Sequence, residues 1–480
     1  MRLLCKIYTI MLIFAPKTNV MLVKKVLSVV LSAALLVTAN AEAQDTKVVT
    51  VPKLTIDGHP VWIMQGNIYE VNVRQYTPEG TFKAFAKNLP RLKQMGVQTL
   101  WFMPINPIGI LDRKGELGSY YAVRNYKAIN PEFGTMADWK ALVKQCHEMG
   151  FKVIIDWVPN HTAADHYWMQ SHPDFYVQDS ITHKAISPFD WTDARKLNYK
   201  NPELCDTMTA NMEFWLNETH IDGFRCDVAF EVPQAFWQKC IPKLKKGRNI
   251  FMLAEASLPW LHKAGFDATY TWPDYNVMKD IVKGKMNALD LDSSLNDTEK
   301  DYPKNAIKMY FTSNHDLNSW ELADYGTMPG KSHAPFAVLT QTMKRSVPLI
   351  YTGQEEPHLD SISFFYKNTI SFKKFARAEF YSKLLKLRKS NEALAANASY
   401  TKLKSTNDKK VFSYIREKNG RKVLVVLNLS SGPIATTISN PVIAGNAMEI
   451  FTNKSVELKV GDKFSLDGWG YKVFNYVVKP

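Results

Sequence analysis

The chain has 480 residues, 46% of them hydrophobic and 22% charged, with a net charge of +14. That mix excludes a disordered or fibrous chain and is long enough for one large domain beside a smaller one. The lysines are scattered rather than blocked, so the charge leaves no nucleic-acid footprint and reads as solubility.

Residues 1–43 read as a leader and signal peptide. Residues 21–25 (Met-Leu-Val-Lys-Lys) are a basic start, and 26–37 are an apolar stretch too short to span a bilayer comfortably. Ala39-Asn40-Ala41 is a small-residue cleavage site, with Ala41-Glu42-Ala43 as a second choice. Residues 1–20 read as a misassigned start. The pattern implies export, periplasmic or extracellular, with no stable membrane anchor after cleavage; a retained anchor is the competing reading. Cys146, Cys205, Cys226 and Cys240 have no metal-ligand spacing and demand no disulfide.

Further along, 68–73 alternates as a strand, 81–94 carries apolar residues at helical spacing and closes at Gly96, and 97–102 is a second strand. A helix over 137–149 precedes a strand at 153–157. Asn201-Pro202 starts a helix running to about 216. Then come strands at 224–228, 250–254, 268–270, 309–312 and 349–351, with helices at 234–244 and 375–388. Arg225 and Asp227 lie two apart in the buried 224–228 run and so share a face. They are either a structural ion pair or a carboxylate nucleophile beside an arginine that holds it ionised.

Strands alternating with helices over 58–390 predict a (β/α)8 TIM barrel; a doubly wound sheet gives the same alternation. The segment 161–200, rich in His, Asp, Trp and Tyr, exceeds the usual loop length and reads as a functional lid or a small subdomain inserted after the third strand, at the place of domain B in the family that the motifs below resemble. Runs flanking Asn419-Gly420 form a hairpin, and 395–480 reads as a C-terminal antiparallel β-sandwich. Asp156, Asp227, Glu255 and Asp316 follow strands, and in a barrel all strand ends meet on one face.

Five ordered motifs carry a resemblance. Asp156-Trp157-Val158-Pro159-Asn160-His161, Gly223-Phe224-Arg225-Cys226-Asp227, Leu253-Ala254-Glu255-Ala256 and Phe311-Thr312-Ser313-Asn314-His315-Asp316 come in sequence, with Leu197-Asn198-Tyr199 between the first two. With Gly118-Ser119-Tyr120-Tyr121, they make the chain resemble the α-amylase superfamily of glycoside hydrolases from about residue 62 onward. Each motif alone is weak; the ordered set is specific.

The resemblance implies a retaining hydrolase acting on starch-like α-glucans or maltodextrins. Asp227 would be the nucleophile, Glu255 the general acid/base and Asp316 the third carboxylate, gripping sugar hydroxyls. Tyr121, Asp156, His161, Arg225 and His315 would bind the sugar, Tyr121 by stacking. Arg225 would lower the Asp227 pKa, and the Glu255 site would raise its own. Many relatives have Lys-His where this chain has Phe230 and Glu231. That difference leaves linkage preference open and weakens the case for a structural calcium, for which Asn160 is the candidate ligand. No organic cofactor is implied. The lack of room for an extra β-domain before residue 62 points to a plain α-amylase architecture and a monomer. Neopullulanase, cyclomaltodextrinase, α-1,6-glucosidase and transglycosylase activities are the alternatives among enzymes. A non-catalytic carbohydrate-binding or partner subunit is the alternative outside them.

Overall fold

Eight parallel strands pair in sequence order and close into a barrel. They are β1 (Ile68–Val71), β2 (Thr99–Phe102), β3 (Lys152–Trp157), β4 (Gly223–Cys226), β5 (Phe251–Ala254), β6 (Ala268–Tyr270), β7 (Ile307–Tyr310) and β8 (Ser346–Tyr351). This computed structural model describes residues 54–321 and 328–477. The leader expected at 1–43 lies outside them. Among the described residues, no helix is long and apolar enough to cross a membrane.

Period-2 alternation divides each strand between two cores. Tyr69, Leu100, Phe102, Val153, Ile155, Phe224 and Met252 pack outward against the helices. Ile68, Trp101, Ile154, Phe251, Leu253, Tyr270 and Met309 form the other core, inside the barrel. Where the inward positions reach the C-terminal rim they turn polar: Glu70, Asp156 and Arg225, all fully buried. Gly223 opens β4 at φ 148, and a Cβ there would meet the Phe251 carbonyl oxygen at 1.9 Å. Only glycine lets β4 pack this closely on β5.

Caps fix several helices where the sequence puts them. Thr135 and Asp138 form a reciprocal capping box before Met136–Glu148, and Asn201 accepts from two amides ahead of Pro202–Thr219. Other expected bounds move. The strand expected at 68–73 stops at Val71, because Asn72 turns the chain by accepting from the Gln75 amide. The helix expected over 81–94 is two, Phe82–Ala86 and Leu89–Met95. Pro90 lacks the N–H that would continue the first of them. Strand β4 ends at Cys226, so Asp227 lies beyond the ladder rather than inside it.

The insertion after β3 is held by an antiparallel pair, His161–Ala163 on Ala194–Lys196. The C-terminal region is a six-stranded antiparallel sheet with a separate two-stranded sheet, Ile434–Thr437 on Lys463–Leu466. Leu403, Val411, Leu424, Ile443, Phe464 and Phe474 share one core cluster across both sheets. Asn419 and Gly420, both at positive φ, make the expected tight hairpin between Val411–Lys418 and Arg421–Asn428. Arg416 donates to the carbonyls of Thr342, Met343 and Ala395, tying this sheet to the barrel's last helices.

Candidate active site

Parallel pairing of Cys226 with Ala254 brings the next residue of each strand, Asp227 and Glu255, to neighbouring positions on the rim. The Asp227 amide donates to the Trp157 carbonyl at 2.8 Å and the Glu255 amide to the Cys226 carbonyl at 3.0 Å, so one bond to the end of the preceding strand fixes each backbone just past the ladder. Val228 then takes the left-handed conformation, φ 34 and ψ 47. A β-branched residue pays strain there, and such strain gathers at functional sites. The turn aims the Val228 amide at Glu255 Oε2, 2.7 Å away.

Arg225 sits beneath both acids. Its Nη1 donates to Asp156 Oδ1 at 2.8 Å and to Asp227 Oδ1 at 2.9 Å; its Nη2 lies 2.9 Å from Glu255 Oε1. Its Nε donates to the Tyr270 hydroxyl. Burial pushes the Asp227 carboxyl well above the usual carboxylate range, and the charge of Glu255 adds to this. Arg225 pulls the other way without reversing it. That corrects the sequence expectation of a lowered Asp227: desolvation at the barrel mouth outweighs the cation.

A second chain of polar groups runs from Arg225 toward β1. Asp156 Oδ2 accepts from Trp101 Nε1 at 3.2 Å and from the Tyr121 hydroxyl at 3.0 Å. The Tyr121 oxygen is 2.8 Å from His315 Nε2, and His315 Nδ1 meets Glu70 Oε1. Asp316 Oδ2 lies 3.4 Å from the same Nε2. Burial raises the Asp156 carboxyl to about 6, against the pull of Arg225. Burial lowers His161 to about 3, so this ring is neutral.

Above these groups is a cleft of about 410 Å³. Tyr121, His161, Asp227, Glu255, His315 and Asp316 line it, six of the eight residues expected to act on or touch a substrate. Asp156 and Arg225 are the exceptions: both are fully buried, and they hold the lining residues from below rather than meeting a ligand. Sequence reasoning missed the walls. On one side Tyr121 stacks on Phe364, which packs on the exposed Trp320 and on Phe365. On the other, His161 meets Trp191 edge-on. It also missed Glu70, whose signal was a lone acid on the inward face of a strand.

Asn160 was expected to ligate calcium. Its carboxamide nitrogen faces His161 Nδ1 at 3.3 Å, and its backbone carbonyl accepts from Leu197. The nearby acid that follows β4, Glu231, is paired at 2.9 Å with Lys196 of the inserted hairpin. Among the described residues no three His, Cys, Asp or Glu side chains converge as a metal site. A hard cation asks for six or more oxygens. Asn160 and its neighbours offer amide and backbone oxygens rather than a carboxylate cluster, and no chemistry below passes through a metal.

Known proteins resemble the chain over most of its length. The signature of the family described as "Alpha amylase, catalytic domain" matches residues 44–196 and 188–393. That of "Maltogenic Amylase, C-terminal domain" matches 400–473. An alpha-amylase of Haloarcula japonica is 26% identical over 403 residues, covering 80% of this chain and 58% of the relative. A cyclomaltodextrinase of Thermoanaerobacter pseudethanolicus is 25% identical over 386 residues, covering 73% of this chain and 64% of the relative. The chain therefore spans less than two thirds of the length of either. The crystal structure of a noncanonic maltogenic alpha-amylase from Thermotoga neapolitana superposes with a TM-score of 0.79 at 29% identity, covering 87% of this chain and 99% of that one.

Proposed function

The chain belongs to the α-amylase catalytic-domain family, and on that premise we propose that it is a retaining glycoside hydrolase cleaving α-1,4-glucosidic bonds in starch-like α-glucans or maltodextrins. The observation that carries the proposal is the placement of Asp227 and Glu255 on one guanidinium at the mouth of the cleft. Sharing Arg225 suits the short separation of about 5–5.5 Å that retention needs, rather than the roughly 6.5–9.5 Å of inverting pairs. Asp227 attacks the anomeric carbon while Glu255 gives its proton to the leaving oxygen. A water molecule, deprotonated by Glu255, then releases the sugar with its α configuration kept. Asp316 and His315 grip the hydroxyls of the reacting ring, and Tyr121 packs against its face. The leader sequence supports an exported protein, and no partner beyond the glucan is required.

A second reading, cyclomaltodextrinase or neopullulanase activity, is favoured by two observations. The C-terminal sheet matches the maltogenic amylase type, and a named cyclomaltodextrinase covers most of this chain. Incubation of the mature protein with soluble starch, pullulan, β-cyclodextrin and a maltooligosaccharide series separates the two. Maltodextrins released fastest from starch support the first reading; panose from pullulan, or fastest opening of cyclodextrin, supports the second. No cleavage of any of the four would reject both.

A further inference from the structure

Glu70 has no part in the reaction as derived so far, yet it is fully buried beneath the cleft. Its Oε1 meets His315 Nδ1, and its Oε2 has no hydrogen-bond donor among the described residues. A buried carboxylate is costly unless a counter-charge meets it. Here the imidazole is the group in contact with it.

Proton counting around Tyr121 leads to the same place. The Tyr121 hydroxyl has one proton and two neighbours, Asp156 Oδ2 and His315 Nε2. Asp156 already takes donors from Arg225 and Trp101, the setting of an ionised carboxylate, which accepts and cannot donate. The tyrosine proton therefore goes to Asp156, and His315 Nε2 must donate to the tyrosine oxygen. Nδ1 is in hydrogen-bond contact with Glu70 Oε1; burial raises the Glu70 carboxyl while the His315 charge pulls it back, and with Glu70 ionised Nδ1 is the donor. Both ring nitrogens then carry protons.

We propose that Glu70 is a positioning residue: its buried charge holds His315 as an imidazolium, so that Nε2 keeps its proton on the Tyr121 oxygen and its positive charge beside Asp316 at the cleft. The inference rests on the hydrolase reading only for its effect on rate. The groups facing His315 are Glu70 from β1, the Trp101 ring from β2, Tyr121 from the following loop, Asp156 from β3, Arg225 from β4 and Asp316 on its own helix, with Tyr351 from β8 beside Glu70. Burial alone would lower the histidine; Asp316 and Glu70 overcome it and raise His315 to about 9, against Arg225.

The test uses histidine labelled with nitrogen-15 in the full chain, the His315 signals being those lost in His315→Gln. At pH 7 the wild type should show both ring nitrogens protonated, and Glu70→Gln a neutral ring. In Glu70→Gln the alkaline limb of kcat/KM on maltooligosaccharides should move down by at least one pH unit. At pH 8, kcat/KM should fall roughly tenfold, about the worth of one charge-assisted hydrogen bond. A neutral His315 in the wild type, or a Glu70→Gln profile that overlays the wild type, overturns the proposal. If Glu70→Gln does not fold, the wild-type spectrum decides alone. That spectrum needs no substrate, so an inactive protein with a doubly protonated His315 would reject the hydrolase reading and leave this one standing.

Discussion

Nη1 of Arg225 lies 2.9 Å from Oδ1 of Asp227, and the same nitrogen lies 2.8 Å from Asp156. The guanidinium is fully buried and so are most of its partners. Removing a member of a buried charged network costs more than the network itself contributes, because it strands the rest. Arg225→Met should therefore lower stability by about 3–5 kcal/mol, read by thermal or denaturant unfolding. Arg225→Lys keeps a charge but loses the fork. It should fold better than the methionine variant and still lose at least a hundredfold in kcat. A lysine variant with full activity would mean that a point charge suffices and the fork geometry does not matter.

The two rim carboxylates should fail in different ways. Asp227→Ala removes the attacking oxygen and should cut turnover by several orders of magnitude on every substrate. Glu255→Gln removes proton delivery, which matters less when the leaving group needs no proton. On an α-glucosyl fluoride the glutamine variant should keep much more of its activity than on a maltooligosaccharide. If both variants fall equally on both substrates, the assigned roles are wrong.

Much of this arrangement could be read from the chain. Asp227, Glu255 and Asp316 each follow a strand, and β6, only three residues long, falls where Ala268-Thr269-Tyr270 suggested. What stayed hidden has physical causes. The apolar spacing Phe82, Phe85, Leu89, Leu92 runs unbroken across the gap between two helices, so periodicity could not show the break at Asn88. Lys454–Leu458 and Lys463–Leu466 are five and four residues long, too short for their few alternating apolar positions to stand out from the polar turns around them. The direction of the Asp227 shift depends on how completely the rim is desolvated, a property of the closed barrel and not of the Arg-Cys-Asp order. Trp320 is four residues after Asp316 in a helix whose orientation only the fold supplies.

Buried neutral histidines should make stability fall in mild acid. Burial lowers His166 to about 3 and His262 to about 4, against an ordinary value near 6.5. With the folded pKa depressed, the unfolded state takes up protons first as pH drops below about 6.5, so the native state loses ground from there downward. At pH 5 each such histidine costs about 2 kcal/mol. The raised Asp156, Asp227 and His315 work in the opposite sense over pH 7 to pH 5, so the histidine contribution is read as the difference in unfolding free energy between wild type and a variant over that range. His166→Asn, whose side-chain oxygen can still accept from the Trp168 amide, should show a shallower decline. An identical slope in the variant would remove His166 from the account.

Trp320 should matter for long substrates and not for short ones. In an eight-strand ring β5, which carries Glu255, lies opposite β1, and the loops after β7 and β8 flank β1 on the far side of the mouth. With Glu255 as the acid of the proposed reaction, the leaving group would depart beside it and the remaining glucan would extend toward those loops. There Trp320, 61% exposed, caps the aromatic series begun by Tyr121 and Phe364. An exposed indole offers a sugar ring a flat apolar face, and a stack of this kind contributes about 0.5–1.5 kcal/mol. Trp320→Ala should raise KM by roughly three- to tenfold for maltohexaose and longer chains. Its effect on maltotriose should be small, and kcat should stay near wild type because the indole touches no reacting atom. An equal rise for all chain lengths would point to a general loosening of the mouth, and a loss confined to kcat would place Trp320 at the chemistry instead.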